Sequence, residues 1–187
     1  MLPKFFAPLL VGGAFLVQTA IAGPAEEGAY LTAAAGCQAC HTAKGGAPFA
    51  GGRALKTPFG TFFSPNITPD AKTGIGRWSK ADFRTALKQG LNPEGDHYFP
   101  AFPYTSYTRM SPDDMGKIYA YLQSLPAVNQ PNREHDVGAP FSWRFLQAGW
   151  KILFFDEADA VQKTPKAGPE RGKYLVDALG HCGECHT

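Results

Sequence analysis

The pattern of apolar and polar positions along the chain predicts a set of helices. The strongest signal covers residues 111–124, where Ser111 is a suitable N-cap and apolar side chains recur at spacings of three and four residues. A second capped helix is predicted over 79–89, and a third over 26–35. The expected fold class is therefore mainly α.

The N-terminal 22 residues have the organisation of a secretory signal. Lys4 supplies a basic start, residues 5–17 form an apolar run, and small residues precede Gly23. An uncleaved membrane anchor is the alternative, but the apolar run is shorter than the roughly 20 residues that span a bilayer. We therefore expect residues 1–22 to be removed and the mature protein to be exported to the periplasm.

Composition and charge add little about partners. The 187 residues are 44% hydrophobic and 18% charged, which suits one domain with a core and part of another. The 18 basic residues nearly balance the 16 acidic ones. No excess of positive charge favours nucleic acid, and none is expected as a partner.

The four cysteines carry the chemical information, because they fall in two motifs of the form C-x-x-C-H, at 37–41 and 182–186. This motif marks the attachment of haem c. Two thiols three residues apart can each form a thioether with a vinyl group of one porphyrin, and the adjacent histidine then reaches the iron. The predicted attachment residues are Cys37, Cys40, Cys182 and Cys185, and the predicted iron ligands are His41 and His186.

Other interpretations explain the histidines poorly. A zinc ribbon usually separates its two C-x-x-C pairs by about 15–20 residues, whereas positions 37 and 182 are 145 residues apart. A thioredoxin-like pair requires a βαβ pattern, which this sequence lacks. Two disulfides are the third alternative, since an exported protein can form them.

A six-coordinate iron requires one more ligand, and methionine or histidine usually supplies it. Met115 belongs to the apolar stripe of the helix at 111–124, which favours a place in the core. Met110 precedes that helix in an irregular stretch and is the predicted sixth ligand. His97 is the second candidate, although a loop histidine that bonds solvent or a haem propionate explains it more simply.

Two further segments stand out between the helices. Residues 42–77 are rich in glycine and proline and have little periodicity; we interpret them as a long loop that wraps the porphyrin. Residues 142–155 are aromatic but too short and too polar to span a membrane. A helix packed between domains is the favoured interpretation, and a docking surface for a dehydrogenase or a membrane partner is the alternative. Within the segment at 42–77, the apolar side chains expected to cover the porphyrin are Phe49, Phe59, Phe62, Phe63 and Ile67.

The sequence contains an internal repeat. Residues 28–36 align with residues 172–180, and His181 is a single insertion before the second C-x-x-C-H motif. We therefore expect a second haem module to begin here and to continue in a longer protein; if the chain is complete, its second haem is exposed or absent. The predicted organisation is a signal at 1–22, a first domain at 23–130, a linker with an aromatic helix at 131–168, and the start of a second domain at 169–187.

Several short segments resemble the bacterial multi-haem cytochrome c family that includes cytochrome subunits of membrane-associated alcohol and gluconate dehydrogenases. The resemblance implies a string of largely helical class I cytochrome c modules with histidine and methionine as axial ligands. Many relatives have methionine where this chain has Phe102, which favours Met110 as the ligand here. The matching segments are Gly36 to Thr42, Thr57 to Gly60, Asn66 to Asp70, Thr73 to Gly76, Phe102 to Tyr104 and Gly180 to Thr187.

The favoured function is electron transfer through covalently bound haem. The expected donor is a periplasmic dehydrogenase or another cytochrome, within a complex that associates with the inner membrane, and the expected acceptor is the respiratory chain. An electron-transfer subunit is expected rather than an enzyme in its own right. The alternative is a di-haem oxidoreductase, peroxidase-like or thiosulfate-dehydrogenase-like, in which one iron is catalytic.

Overall fold

The computed structural model describes residues 23–159, 161 and 163–186, so the predicted signal at 1–22 lies outside the described residues. Helices dominate the described residues, which agrees with the predicted mainly α class. The elements in chain order are α1 (Pro24–Ala34), α2 (Cys37–Cys40), β1 (Ala54–Thr57), β2 (Gly60–Phe63), α3 (Lys80–Gln89), α4 (Tyr104–Tyr107), α5 (Pro112–Ser124), β3 (Asp136–Val137), α6 (Leu146–Phe154) and α7 (Gly168–Tyr174). A π-helical turn (Leu175–Leu179) and a 3-10 turn (Cys182–Glu184) follow.

The caps read from the sequence are present. Ser79 accepts a hydrogen bond from the amide of Asp82, whose carboxylate accepts one from the amide of Ser79 in return. Gly90 ends α3 in the left-handed conformation. Ser111 caps α5 by accepting from the amide of Asp114 at 3.1 Å. The predicted helices at 79–89 and 111–124 are therefore confirmed.

The core is centred on the crossing of α1 and α5. Gly28 makes this crossing possible, because a Cβ atom at this position would lie 2.3 Å from the carbonyl oxygen of Lys117. Met115 is 2% exposed and faces the same core, as its place in the apolar stripe predicts. The buried side chains of this cluster are Leu31, Ala35, Phe49, Ile75, Phe83, Leu87, Tyr107, Met110, Met115, Ile118, Leu122, Tyr174, Ala178 and Leu179.

The segment at 42–77 contains a hairpin that the sequence pattern did not predict. β1 and β2 pair antiparallel, with Ala54 opposite Phe63 and Thr57 opposite Gly60, and β3 pairs with β2. Gly60 has a φ of 132°, and a Cβ atom there would lie 2.3 Å from the carbonyl oxygen of Asp136. The prediction of a loop without strands was therefore wrong. Each strand is only four residues long and is flanked by glycine and proline, so the sequence shows no clear strand pattern.

The aromatic segment forms α6, but its apolar side chains face outward. Ile152 is 85% exposed and Leu153 is 74% exposed. The basic side chains point inward instead: Lys151 donates to the carbonyl of Gly90 at 2.9 Å, and Arg144, just before α6, donates to the carbonyl of His97 between α3 and α4. The interpretation of α6 as a helix packed between domains stays a prediction. Across residues 23–159, 161 and 163–186, we find no helix with the length and apolarity needed to cross a membrane.

The C-terminal helix packs onto the first domain. The hydroxyl of Tyr174 donates to the buried carboxylate of Asp114 at 2.9 Å and accepts from the amide of Ser111 at 3.1 Å. Ala178 and Leu179 are almost fully buried in the same core cluster. The segment predicted to begin a second module therefore contributes to the core of the first.

Replacing Tyr174 by phenylalanine tests this connection. The variant leaves two buried polar groups on α5 without their tyrosine partner, which should lower the free energy of unfolding by about 1–3 kcal/mol. Denaturant titration measures the change. Tyr30, its counterpart in the repeat, is 53% exposed, so Tyr30→Phe is the matched control with an expected change within about 0.5 kcal/mol. Equal losses in the two variants would contradict the prediction.

Candidate functional site

The first C-x-x-C-H motif forms a single helical turn. Gly36 adopts the left-handed conformation with a φ of 67°, which ends α1 and starts α2. The amide of His41 donates to the carbonyl of Cys37 at 2.8 Å, which closes the turn. Residues three and four positions apart share one side of a helix, so both cysteines and the histidine are presented together.

The ring of His41 is held by the backbone of the following loop. Its Nδ1 lies 2.8 Å from the carbonyl oxygen of Pro65. Because a carbonyl can only accept, Nδ1 carries the proton and Nε2 keeps a free lone pair. Burial lowers the pKa of His41 and outweighs the opposing effect of the bond to Pro65. The imidazole is therefore in the neutral form that binds a metal.

A glycine allows this loop to approach so closely. Gly51 has a φ of 77°, and a Cβ atom there would lie 2.5 Å from the carbonyl carbon of Pro65. Its amide also donates to the carbonyl of His41 at 2.8 Å. The glycine-rich segment at 42–77 therefore orients the histidine, a role that its sequence did not identify.

The cysteines are in the state that thioether formation requires. All four are free thiols, so the alternative with two disulfides finds no support in this structure. Burial raises the pKa of the Cys37 thiol to about 12, and the nearby Cys40 adds to this effect.

The alternative of a zinc site has no support from the arrangement of side chains. Among the described residues, no group of three or more His, Cys, Asp and Glu side chains is arranged to hold a metal ion.

The candidates for the sixth ligand lie in different surroundings. Met110 follows α4 and is fully buried, and its amide donates to the carbonyl of Tyr107 at 2.9 Å. It belongs to the cluster against which Cys37 packs. His97 lies in the loop between α3 and α4, where its carbonyl accepts a bond from Arg144. The assignment of Met110 to the iron stays a prediction.

The second motif also forms a helical turn, and a wider, π-helical turn precedes it. The amide of Gly180 donates to the carbonyl of Leu175, five residues earlier, at 2.7 Å, so the π-helical turn takes in the extra residue of the second repeat. His181 then adopts the left-handed conformation with a φ of 40°. The alignment treated His181 as the insertion, whereas the backbone makes it the equivalent of Gly36. Cys182, Cys185 and His186 are exposed.

Helix α4 contacts the surroundings of both motifs. The hydroxyl of Tyr107 donates to the carbonyl of Ala35 at 2.6 Å, next to the start of the first motif. The Tyr107 ring also meets the ring of His181, next to the second motif, edge-on at 5.9 Å. Glu184, inside the second motif, accepts a hydrogen bond from Ser106 at 3.1 Å. These contacts could not be found from the sequence, because no sequence pattern signals a contact between positions more than 70 residues apart.

The donor set of the first motif fits haem c. It combines two free thiols on one helical turn with a neutral imidazole whose Nε2 is available for iron. When bound, haem c supplies one-electron redox chemistry.

Comparisons with known proteins agree with this assignment. The family model for cytochrome c matches residues 25–126, more than half of the chain. The chain is 46% identical to the gluconate 2-dehydrogenase cytochrome c subunit of Pantoea cypripedii over 165 residues, which are 87% of this chain and 37% of that protein. It is 43% identical to a diheme cytochrome c-type protein of Cereibacter sphaeroides, covering 89% of this chain and 58% of that protein.

A third relative is the cytochrome c subunit of the quinone alcohol dehydrogenase of Gluconacetobacter polyoxogenes, 41% identical over 95% of this chain and 39% of that protein. The chain thus spans less than two thirds of the length of each of these relatives. The mainly α class and the resemblance noted in the sequence are confirmed. This chain belongs to the cytochrome c family.

Proposed function

We propose that this protein is the electron-transfer subunit of a dehydrogenase complex and that it carries single electrons through haem c. The observation that carries the proposal is the orientation of His41 by Pro65 within a C-x-x-C-H turn. Relatives that are named as cytochrome c subunits of gluconate, alcohol and fructose dehydrogenases support a dehydrogenase as the partner. The predicted signal at 1–22 supports a periplasmic location, at the periphery of the inner membrane when the complex is membrane-associated.

In this proposal, the cysteines and the histidine of the first motif have separate roles. The thiols of Cys37 and Cys40 would hold the porphyrin covalently through thioether bonds. His41 would bind the iron, and the carbonyl of Pro65 fixes its ring and its protonated nitrogen. Met110, fully buried, would be the second protein ligand of the iron. With both residues bound, the iron would have no open position for a substrate, which favours a carrier over an enzyme.

The second motif extends the same chemistry to a second haem. Cys182 and Cys185 have the same spacing as the first pair, and His186 follows them. The amide of His186 donates to the carbonyl of Cys182 at 3.1 Å, as in the first motif. A relative named as a diheme cytochrome supports the count of two haems.

Spectroscopy of the purified protein, made in cells that attach haem c, tests the proposed function. We expect the mass of the mature chain to include covalently bound haem. We also expect the absorption bands of the reduced first haem to stay unchanged when carbon monoxide is added, because its iron has no open position. A marked shift of those bands would contradict the carrier and favour the di-haem oxidoreductase.

Replacing Met110 by alanine tests the sixth ligand. Because a methionine ligand raises the reduction potential of haem c, the variant should have a lower midpoint potential and should bind carbon monoxide at the first haem. Met115→Ala is the matched control, since it removes another buried methionine. The control should lose about 2–5 kcal/mol of stability and keep the potential of the first haem. An unchanged potential in Met110→Ala would instead assign the ligand to another residue, with His97 as the next candidate.

A further inference from the structure

Helix α4 contacts residues next to both haem-attachment motifs. Next to the first motif, Tyr107 donates a hydrogen bond to the carbonyl of Ala35 at 2.6 Å and is 5% exposed. Burial raises the pKa of the Tyr107 phenol, and the nearby thiols of Cys37 and Cys40 add to this effect, as expected for a phenol beside the first motif. The same ring meets His181, the residue before the second motif.

A carboxylate inside the second motif makes the remaining connection. Glu184 is the second variable residue of the C-x-x-C-H sequence. One of its oxygens accepts hydrogen bonds from Ser106 at 3.1 Å and Thr105 at 3.4 Å, both on α4. Its other oxygen lies 3.3 Å from Nδ1 of His181. Glu184 thus joins the second motif to the helix that flanks the first.

We propose that Glu184 is a positioning residue that fastens the second haem-attachment motif to α4, so that both attachment sites are built on one short helix. This inference rests on the proposed function, because it assumes that a haem is attached at Cys182 and Cys185. The attachment chemistry itself requires no particular residue at position 184. The hydrogen bonds from α4 to the Glu184 carboxylate are therefore not a requirement of the C-x-x-C-H motif itself.

The charge of Glu184 has a second consequence for a haem attached beside it. Oxidised haem carries one more positive charge than reduced haem, so a nearby carboxylate stabilises the oxidised form and lowers the midpoint potential. Positioning and charge can be separated by two kinds of variant. Glu184→Gln keeps an oxygen that accepts from α4 and removes the charge, whereas Ser106→Ala with Thr105→Val keeps the charge and removes both donors.

Both variants are tested in the full chain, purified from cells that attach haem c. Potentiometric titration of Glu184→Gln should give a higher midpoint potential for the second haem and an unchanged one for the first. Hydrogen exchange of the double variant should show roughly three- to tenfold faster exchange of the amides at 180–186, because two hydrogen bonds to a partly exposed carboxylate are lost. Glu170→Gln, an exposed carboxylate at the start of α7, is the control for charge removal.

The outcomes separate this inference from the proposed function. If Glu184→Gln gives the same potentials as Glu170→Gln and exchange at 180–186 is unchanged in the double variant, Glu184 is not a positioning residue. If the mass of the unaltered protein shows no haem at Cys182 and Cys185, the two-haem form of the proposed function fails first, and the inference fails with it. A haem at both motifs together with unchanged potentials and exchange overturns the inference alone.

Discussion

Replacing both Cys37 and Cys40 by serine should yield a mature protein that is lighter by one covalently bound haem. A serine hydroxyl does not form a thioether, and the axial bond to His41 is too labile to keep the porphyrin through denaturation. Mass spectrometry of the intact protein and haem staining after a denaturing gel measure the loss. This is the largest functional effect that we expect from any substitution in the chain.

The second motif supplies the matched control for this prediction. Cys182→Ser with Cys185→Ser should remove the other haem and leave the spectrum of the first, and the variant with all four substitutions should be colourless. All four cysteines are free thiols in the structure, so none of these changes breaks a disulfide. An unchanged mass after substitution of the first pair would contradict covalent attachment at Cys37 and Cys40.

Replacing Gly28 by alanine should cause a large loss of stability, because Gly28 lies where α1 and α5 cross. The new Cβ atom would lie 2.3 Å from the carbonyl oxygen of Lys117 and 2.8 Å from the Cβ of Tyr121. These distances are too short for any real contact, and a backbone carbonyl cannot rotate away, so α1 and α5 must separate. We expect a loss of about 2–3 kcal/mol, since overpacking outweighs the better helix propensity of alanine. Denaturant titration of the haem-loaded protein measures it.

The repeat provides a control at the equivalent position. Gly172 corresponds to Gly28, but a Cβ atom at Gly172 would have no atom within 4 Å. Gly172→Ala should therefore be neutral or stabilise the protein by up to about 1 kcal/mol, because alanine favours the helix. If both variants lost the same stability, the close approach of α1 and α5 would not be the cause.

Local signals in the sequence were enough to predict much of the helical framework. Ser79, Gly90 and Ser111 have side chains or backbone conformations that act on their own helix ends, so the residue type alone identifies the cap. The spacing of the C-x-x-C-H motif likewise contains its geometry, because residues three and four positions apart meet on one helical turn. These parts of the prediction depend on neighbours within the chain and on little else.

Other features depend on distant partners and could not be read in this way. The acceptor for His41 is the carbonyl of Pro65, and every residue has such a carbonyl. Composition showed that residues 142–155 are rich in aromatic side chains, but not that α6 would point its basic Lys151 inward and its apolar side chains outward. The hairpin at 54–63 escaped notice because its strands are too short to show alternation.

The internal repeat shows the same distinction between local geometry and surroundings. Tyr30 and Tyr174 occupy equivalent positions, yet the first is 53% exposed and the second is 5% exposed. The repeat therefore conserves the helical approach to each C-x-x-C-H motif while the two helices pack against different neighbours. Sequence similarity predicts a second module at the second motif, but it gave no indication that this segment would complete the core of the first domain.

Burial of the C-terminal helix has a practical consequence for trimming the protein. A chain cut after residue 130 would keep the first C-x-x-C-H motif but would uncover the apolar surface that Tyr174, Ala178 and Leu179 close. Such a piece should aggregate or bind hydrophobic dyes, even though it retains α1, α3 and α5. The shortest well-behaved form of the haem domain must therefore extend to about residue 180, so the aromatic segment acts as a tether between two parts of one folding unit.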